Sequence, residues 1–143
     1  MKTLIIYGTK SGASEECAKL LSQLIEDSRI ANVEVEQPEL ADFERVIVGA
    51  GVRNDKMYKP IRDYLKKQEA HLLTKELACF LCHSKPKTTE EVIVASIPEG
   101  VRQGAVEIMA FGGYKPNWVP VSPANKLKGI DQEKIAEFVS KLS

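Results

Sequence analysis

Short continuous apolar runs alternate with helical spacing along this chain. The continuous runs occupy residues 4–7, 46–48 and 77–82, and runs of this length are typical of strands that are buried on both faces of a sheet. Two further strands are predicted at residues 33–36 and 105–111, where glutamates interrupt the apolar positions. The pattern therefore predicts five strands.

The segments between the predicted strands have apolar residues at helical spacing. Residues 17–25 place apolar side chains at i, i+3, i+4, i+7 and i+8, the pattern of one buried helix face. Pro60 stands where a second helix is expected to open. Thr88 and Glu91 have the spacing of a capping box for a third helix, and Pro98 is expected to end or kink that helix.

A last helix is predicted after Asp131, whose carboxylate suits an N-cap, with Ile130 and Ile135 placed as a hydrophobic staple. The chain thus contains five strand–helix units, which predict a parallel sheet with helices on both faces. Edge strands tolerate polar residues, so the two strands with glutamates are placed at the edges. We predict one doubly wound α/β domain over residues 1–143, with strand order 2-1-3-4-5 and a ligand site at the carboxyl ends of strands 1 and 3.

The composition is that of an ordinary globular protein. Twenty Lys and Arg residues balance twenty Asp and Glu residues, so the formal net charge is zero. A nucleic-acid-binding module would carry a basic excess, and this chain has none. The early apolar run at residues 4–7 is too short for an export signal or a membrane span. We expect a cytoplasmic protein with no integral membrane segment and no nucleic-acid partner.

The three cysteines are Cys17, Cys79 and Cys82. An odd number in a chain without an export signal argues against a disulfide framework. Cys79 and Cys82 have the spacing of a C-x-x-C redox motif, but residues three apart in a strand point to opposite faces. We expect both to pack in the core and not to form a redox couple. The cysteines and the two histidines are too scattered for a zinc or iron–sulfur site.

The loop between the first strand and the first helix carries the clearest chemistry. Its residues are Thr9, Lys10, Ser11, Gly12, Ala13 and Ser14. Three hydroxyls exceed what N-capping needs, and the unpaired N–H groups and dipole of a helix N-terminus attract phosphate. Neither a Walker A loop nor a Gly-x-Gly-x-x-Gly fingerprint fits, because Ala13 follows Gly12 and Asn54 stands at the third glycine position. The loop is predicted to hold a phosphate.

The segment from Ile5 to Leu21 resembles the flavodoxin signature almost position by position, with Ser14 where threonine is usual. The resemblance implies a flavodoxin-like fold, bound FMN with its phosphate on residues 9–14, and electron transfer. It places the flavin ring over the loops after strands 3, 4 and 5, with a backbone group of Gly51 near flavin N5. The cofactor-binding residues implied there are Gly51, Val52, Arg53, Asn54, Cys82, His83, Ser84, Gly112, Gly113 and Tyr114. The aromatic side chains available to stack on the ring are Tyr58, Tyr114 and Trp118.

A second resemblance is narrower. Residues 43–53, with Tyr58 and residues 64–67, are similar to the flavodoxin domain of menaquinone-dependent protoporphyrinogen oxidases. Those proteins carry a long insertion between the fifth strand and the last helix, where this chain has residues 112–130. Electron-carrier flavodoxins are in turn strongly acidic, whereas this chain is neutral.

Three functions follow from these features. They are an FMN-binding electron carrier, an oxidoreductase related to the menaquinone-dependent protoporphyrinogen oxidases, and a flavin-free binding or regulatory domain on the same fold. The stretch from Arg53 to Lys67 has six basic and two acidic residues. It indicates an acidic redox partner protein or an anionic small-molecule substrate, such as a propionate-bearing tetrapyrrole.

Overall fold

Five parallel strands form the central sheet, with helices on both faces. The structure is a computed structural model that describes residues 1–10, 12–83, 88–112 and 129–142. The strands are β1 (Thr3–Gly8), β2 (Ser28–Asn32), β3 (Arg45–Arg53), the two-residue β4 (Lys56–Met57), β5 (Glu76–Cys82) and β6 (Glu107–Ala110). The helices are α1 (Ala13–Leu24), a 3-10 turn (Leu40–Asp42), α2 (Lys59–Leu72), α3 (Thr89–Ser96), α4 (Glu99–Gly104) and α5 (Gln132–Ser140).

The order of the strands is β2-β1-β3-β5-β6, with β4 antiparallel to β3 beside this path. Numbered without the short β4, this is the predicted order 2-1-3-4-5. The neighbours along the path all pair in parallel. The predicted doubly wound α/β fold is therefore confirmed.

Side-chain alternation along β1 divides the core into two layers. Leu4 and Ile6 pack with the apolar faces of α2, α3 and α4, whereas Ile5 and Tyr7 pack with those of α1 and α5. A strand covered on both faces needs apolar residues at every position, which explains the continuous run. The same alternation places Cys79 and Cys82 on opposite faces of β5, as predicted.

The third strand extends well beyond its predicted apolar run. β3 continues to Arg53, so Gly49 lies inside the sheet and not in a loop. A Cβ on Gly49 would come within 2.1 Å of the Phe80 ring. That ring stacks on Phe111 at a centroid distance of 5.2 Å, and Phe111 meets Phe138 edge to face. Glycine at position 49 thus makes room for an aromatic core, a reason that only the folded structure shows.

The predicted strand at residues 33–36 is wrong. β2 ends at Asn32, whose side-chain oxygen accepts a 3.0 Å bond from the Glu34 N–H. The Asn32 carbonyl also accepts bonds from the N–H groups of Val35 and Glu36. These bonds close a turn and leave Val35 80% exposed. The asparagine side chain offers the backbone an alternative to the sheet, and a hydrophobicity pattern does not register that competition.

The helix predicted after Thr88 ends at Ser96, and Pro98 then opens the separate helix α4. The proline thus ends the helix, as predicted. The predicted capping box is wrong, because Thr88 makes no side-chain capping bond; its hydroxyl lies 2.8 Å from His83 Nε2 instead. No helix in the described part of the chain is both long and apolar enough to cross a membrane.

The predicted start of the last helix is confirmed. The Asp131 carboxylate accepts a 3.1 Å hydrogen bond from the Lys134 N–H. Ile130 and Ile135, on either side of this cap, are both buried in the core layer under α1 and α5. Pro60 likewise stands in the first turn of α2, as predicted.

Candidate cofactor site at the switch point of the sheet

A small pocket that is open to solvent lies at the carboxyl ends of β1, β3 and β5. The connections from β1 and β3 run to opposite faces of the sheet, so the pocket occupies the switch point where doubly wound folds bind ligands. Its lining residues are Thr9, Lys10, Gly51, Val52, Arg53, Tyr58 and Cys82. Six of these seven are residues that the sequence predicted for the site.

The loop after β1 is folded by its own polar groups. The Gly12 N–H donates a 2.8 Å hydrogen bond to the Thr9 hydroxyl. Gly12 has φ of 99°, a left-handed conformation that favours glycine, and it starts α1 without a side-chain cap. Its carbonyl accepts the first helical bond, from the Glu16 N–H. Ser11 lies outside the described residues.

The start of α1 has backbone N–H groups without a partner inside the helix. Ala13, Ser14 and Glu15 occupy the first turn, where no helix carbonyl is available to their N–H groups. The Ser14 side chain is fully buried, and its hydroxyl donates a 2.7 Å bond to the Gly8 carbonyl. This hydroxyl therefore holds the base of the loop, while Thr9 and Lys10 line the pocket.

The charged residues that line the pocket favour the binding of an anion. Lys10 and Arg53 are cationic, and none of the seven lining residues is acidic. The nearby Glu15 carboxylate instead accepts a 3.1 Å hydrogen bond from the Tyr7 hydroxyl. Burial, followed by this bond to Glu15, raises the pKa of Tyr7 to about 12. Of the two acidic residues in the first turn of α1, Glu15 thus bonds to a residue of β1, and Glu16 pairs with Lys19 at 3.8 Å.

A tight hairpin forms the second wall of the pocket. Gly51, Val52 and Arg53 were expected in a loop, but they belong to β3, and the turn to β4 consists of Asn54 and Asp55 alone. Asn54 and Asp55 have φ of 52° and 61°, which fits a two-residue type I′ turn. The loop prediction failed because glycines at 49 and 51 were interpreted as the end of the strand.

Gly51 faces open space inside this wall. Its carbonyl accepts a 2.9 Å hydrogen bond from the Tyr58 N–H, which ties the end of β3 to the start of α2. A Cβ at Gly51 would meet no atom within 4 Å. The missing side chain therefore leaves room for a ligand and is not explained by protein packing.

Tyr58 is the one aromatic residue among the described residues that line the pocket. A Cβ on Gly8 would lie 3.0 Å from the Tyr58 ring, so glycine at the end of β1 lets the ring approach the strand. Burial and a hydrogen bond to Glu34 raise the pKa of Tyr58. Tyr114 and Trp118, the other aromatic candidates, lie outside the described residues.

Of the remaining predicted residues, none that the structure describes lines the pocket. His83 is buried, with its Nε2 beside the Thr88 hydroxyl. Gly112 has φ of 79° and bridges to Ile130, and a Cβ there would lie 2.2 Å from the Gly129 carbonyl oxygen. Neither His83 nor Gly112 lines the pocket. Ser84, Gly113 and Tyr114 lie outside the described residues.

Cys17 was missed as a neighbour of the site. Its Sγ lies 3.3 Å from the Sγ of Cys82, and both residues are buried in the layer beneath α1. Helical spacing placed Cys17 on the buried face of α1. Its contact with β5 joins residues 65 positions apart, which no local pattern reveals.

Comparison with known proteins agrees with this geometry. The flavodoxin domain profile matches residues 4–115. Protoporphyrinogen IX dehydrogenase (quinone) of Escherichia coli K12 is 30% identical over 77 residues. That match covers 50% of this chain and only 42% of the relative, so the aligned part is less than half of the relative's length.

Solved structures of the same fold include two informative neighbours. A short-chain flavodoxin associated with a PDU bacterial microcompartment has a TM-score of 0.66 at 18% identity and covers 99% of this chain and 97% of its own. A flavoprotein from Lactobacillus acidophilus, solved in complex with FMN, has a TM-score of 0.62 at 16% identity and covers 76% of this chain and 92% of its own. FMN is the cofactor of flavodoxins. The matched fold, pocket and profile show that this chain belongs to the flavodoxin domain family.

Proposed function

We propose that this protein binds FMN in the switch-point pocket and transfers electrons to and from it in the cytoplasm. The observation that carries the proposal is the pocket between the β1 loop and the β3–β4 hairpin, with Lys10 on one wall and Arg53 on the other. A helix N-terminus, two cations and no lining carboxylate are suited to a phosphate.

The described residues fit the parts of FMN. The phosphate is assigned to residues 9–14, where the left-handed turn at Gly12 begins α1 and the N–H groups of the first helical turn have no helix carbonyl to bond. The flavin ring is assigned to the wall formed by Gly51 and Tyr58, where glycine leaves open space beside an aromatic ring. The bound flavin supplies the redox chemistry, and the protein supplies position and electrostatics.

A second candidate function is the oxidation of a tetrapyrrole. The 30% identical relative is named as a protoporphyrinogen IX dehydrogenase. The exposed Arg53 and Lys56 face each other across the hairpin beside the pocket, where they suit an anionic substrate with propionate groups. This candidate uses the same pocket and the same FMN.

FMN titration tests both redox functions together. We expect quenching of flavin fluorescence and a perturbed visible spectrum, with one site per chain. Folded protein that shows no binding at micromolar FMN would overturn both and leave a flavin-free binding or regulatory domain.

Electron transfer is tested on the loaded protein. Chemically reduced holoprotein should pass electrons to a one-electron acceptor protein faster than free reduced FMN does. Oxidation of protoporphyrinogen IX with a menaquinone analogue, measured by porphyrin fluorescence, tests the second candidate. A holoprotein that is inert in both assays would show that FMN binding here does not support electron transfer.

A further inference from the structure

We propose that Cys17 and Cys82 form a reversible dithiol–disulfide site that reduces a peroxide. The two Sγ atoms are 3.3 Å apart, within contact distance for two thiols. Both cysteines belong to rigid elements, Cys17 to the second turn of α1 and Cys82 to the last position of β5. A disulfide bond needs the sulfurs at about 2.05 Å, so the backbone already brings the pair close to bonding distance.

The two thiols differ in access. Cys82 lines the switch-point pocket, whereas Cys17 lies behind it with no exposed surface. In the FMN-free protein, a small neutral oxidant that enters the pocket therefore meets Cys82 first. Cys17 is in position to act as the resolving thiol, since Cys82 is its neighbour within the same core layer.

The chemistry balances with one peroxide. The Cys82 sulfur attacks a peroxide oxygen, the O–O bond breaks, and water leaves as Cys82 becomes a sulfenic acid. The Cys17 sulfur then attacks the Cys82 sulfur, the S–S bond forms, the S–O bond breaks, and a second water leaves. Two thiols lose two electrons in total and hydrogen peroxide gains them. A small dithiol reductant restores both thiols by exchange.

Burial of the two thiols slows their oxidation. The adjacent Cys17 thiol and burial both raise the pKa of Cys82, so little thiolate is present at neutral pH and oxidation is slow. Cys79 provides a matched control. It is equally buried, burial raises its pKa to about 12, and it lies in the opposite core layer with α2, α3 and α4.

The test is peroxide treatment of the folded, FMN-free protein at mildly alkaline pH. The reduced chain has three free thiols. We expect the count in the wild type to fall from three to one, with a peptide that links Cys17 to Cys82 in a non-reducing digest. The Cys79→Ala variant should form the same link, and dithiothreitol should reverse it. Because the disulfide-linked peptides are mapped in the wild type, this test does not depend on whether a variant folds.

Single variants separate the two roles. In Cys17→Ala, a sulfenic acid trap such as dimedone should label Cys82, because no resolving thiol remains. In Cys82→Ala, Cys17 should stay unlabelled under the same conditions. An unchanged thiol count in the wild type, or a link that includes Cys79, would overturn the proposal and leave the pair as core packing.

Discussion

The Ser14 hydroxyl donates a 2.7 Å hydrogen bond to the carbonyl oxygen of Gly8. Gly8 ends β1 and Ser14 lies in the first turn of α1, so this bond closes the loop that we assign to the phosphate. Ser14 is completely buried, and water does not replace the lost donor when the side chain is removed. The shape of the anion site therefore depends on a group that lies behind it.

Ser14→Ala tests this dependence. The Gly8 carbonyl loses its buried donor, and we expect the free energy of unfolding to fall by about 1–3 kcal/mol. The affinity for FMN should fall more than the affinity for riboflavin, because riboflavin has no phosphate. Denaturant unfolding and parallel ligand titrations measure both effects, with the exposed Ser140→Ala as control. Equal losses for the two ligands would show that residues 9–14 do not hold the phosphate.

Lys10→Gln removes a cation from the pocket wall without touching the core. We expect roughly tenfold weaker FMN binding, or about 1.4 kcal/mol, with riboflavin binding and thermal stability unchanged. Lys75→Gln, at the opposite end of the sheet beside the start of β5, should leave FMN affinity at the wild-type value. An FMN affinity that responds equally to both variants would indicate a general charge effect and not a local phosphate contact.

Gly49→Ala and Gly51→Ala form a matched pair on one strand. The Cβ at position 49 collides with the Phe80 ring, so we expect a loss of stability of about 1–3 kcal/mol from overpacking. The Cβ at position 51 meets open space, so stability should change by less than about 0.5 kcal/mol. Gly51→Ala should instead weaken the binding of both FMN and riboflavin, because the added methyl group fills the side of the pocket that we assign to the flavin ring. Unchanged flavin affinity would remove Gly51 from the site.

Tyr7 and Tyr64 make stability depend on alkaline pH. Burial raises the pKa of both to about 12, with the Glu15 hydrogen bond adding to the effect at Tyr7. The unfolded chain ionises near pH 10, so it binds fewer protons than the folded chain above that pH, and stability falls as pH rises from about 10 through 12. Urea unfolding at several pH values should show that the free energy of unfolding falls less steeply with pH in Tyr7→Phe and in Tyr64→Phe than in the wild type.

At neutral pH, the same two variants should change the free energy of unfolding in opposite directions. The Tyr64 hydroxyl has no hydrogen-bond partner among the described residues, so Tyr64→Phe should stabilise the protein by about 1 kcal/mol. Tyr7→Phe removes a bond to Glu15 and should destabilise it. A destabilised Tyr64→Phe would show that this hydroxyl has a partner in solution.

The basic hairpin predicts salt-dependent electron transfer. Lys56 has no ion pair among the described residues, whereas Lys59 pairs with Asp63 at 2.8 Å. With an acidic acceptor protein, the rate should fall as ionic strength rises and the Debye length shortens to about 8 Å. Lys56→Gln should flatten this dependence more than Lys59→Gln, at unchanged FMN affinity. A rate that is indifferent to salt and to both variants would exclude the hairpin from docking.

The sequence by itself determined the fold class, and it predicted the edge of the sheet at which the switch-point pocket lies. Apolar runs at β1, β3 and β5 reflect burial on two faces, a property of each strand alone, and they predicted that these three strands lie inside the sheet. The loop from Thr9 to Ser14 could be predicted as a phosphate site from the sequence, because phosphate binding at a helix N-terminus depends on neighbouring residues. These features are local, so they remain visible along the chain.

The tertiary structure alone decided which groups meet. The turn at Asn32 and the extension of β3 past Gly49 depend on hydrogen bonds and on the Phe80 ring, neither of which hydrophobicity records. The contact of Cys17 with Cys82 and the packing of Tyr58 over Gly8 join residues 65 and 50 positions apart. A pattern along the chain carries no information on such pairs, because the distance between two side chains is set by how whole strands and helices pack.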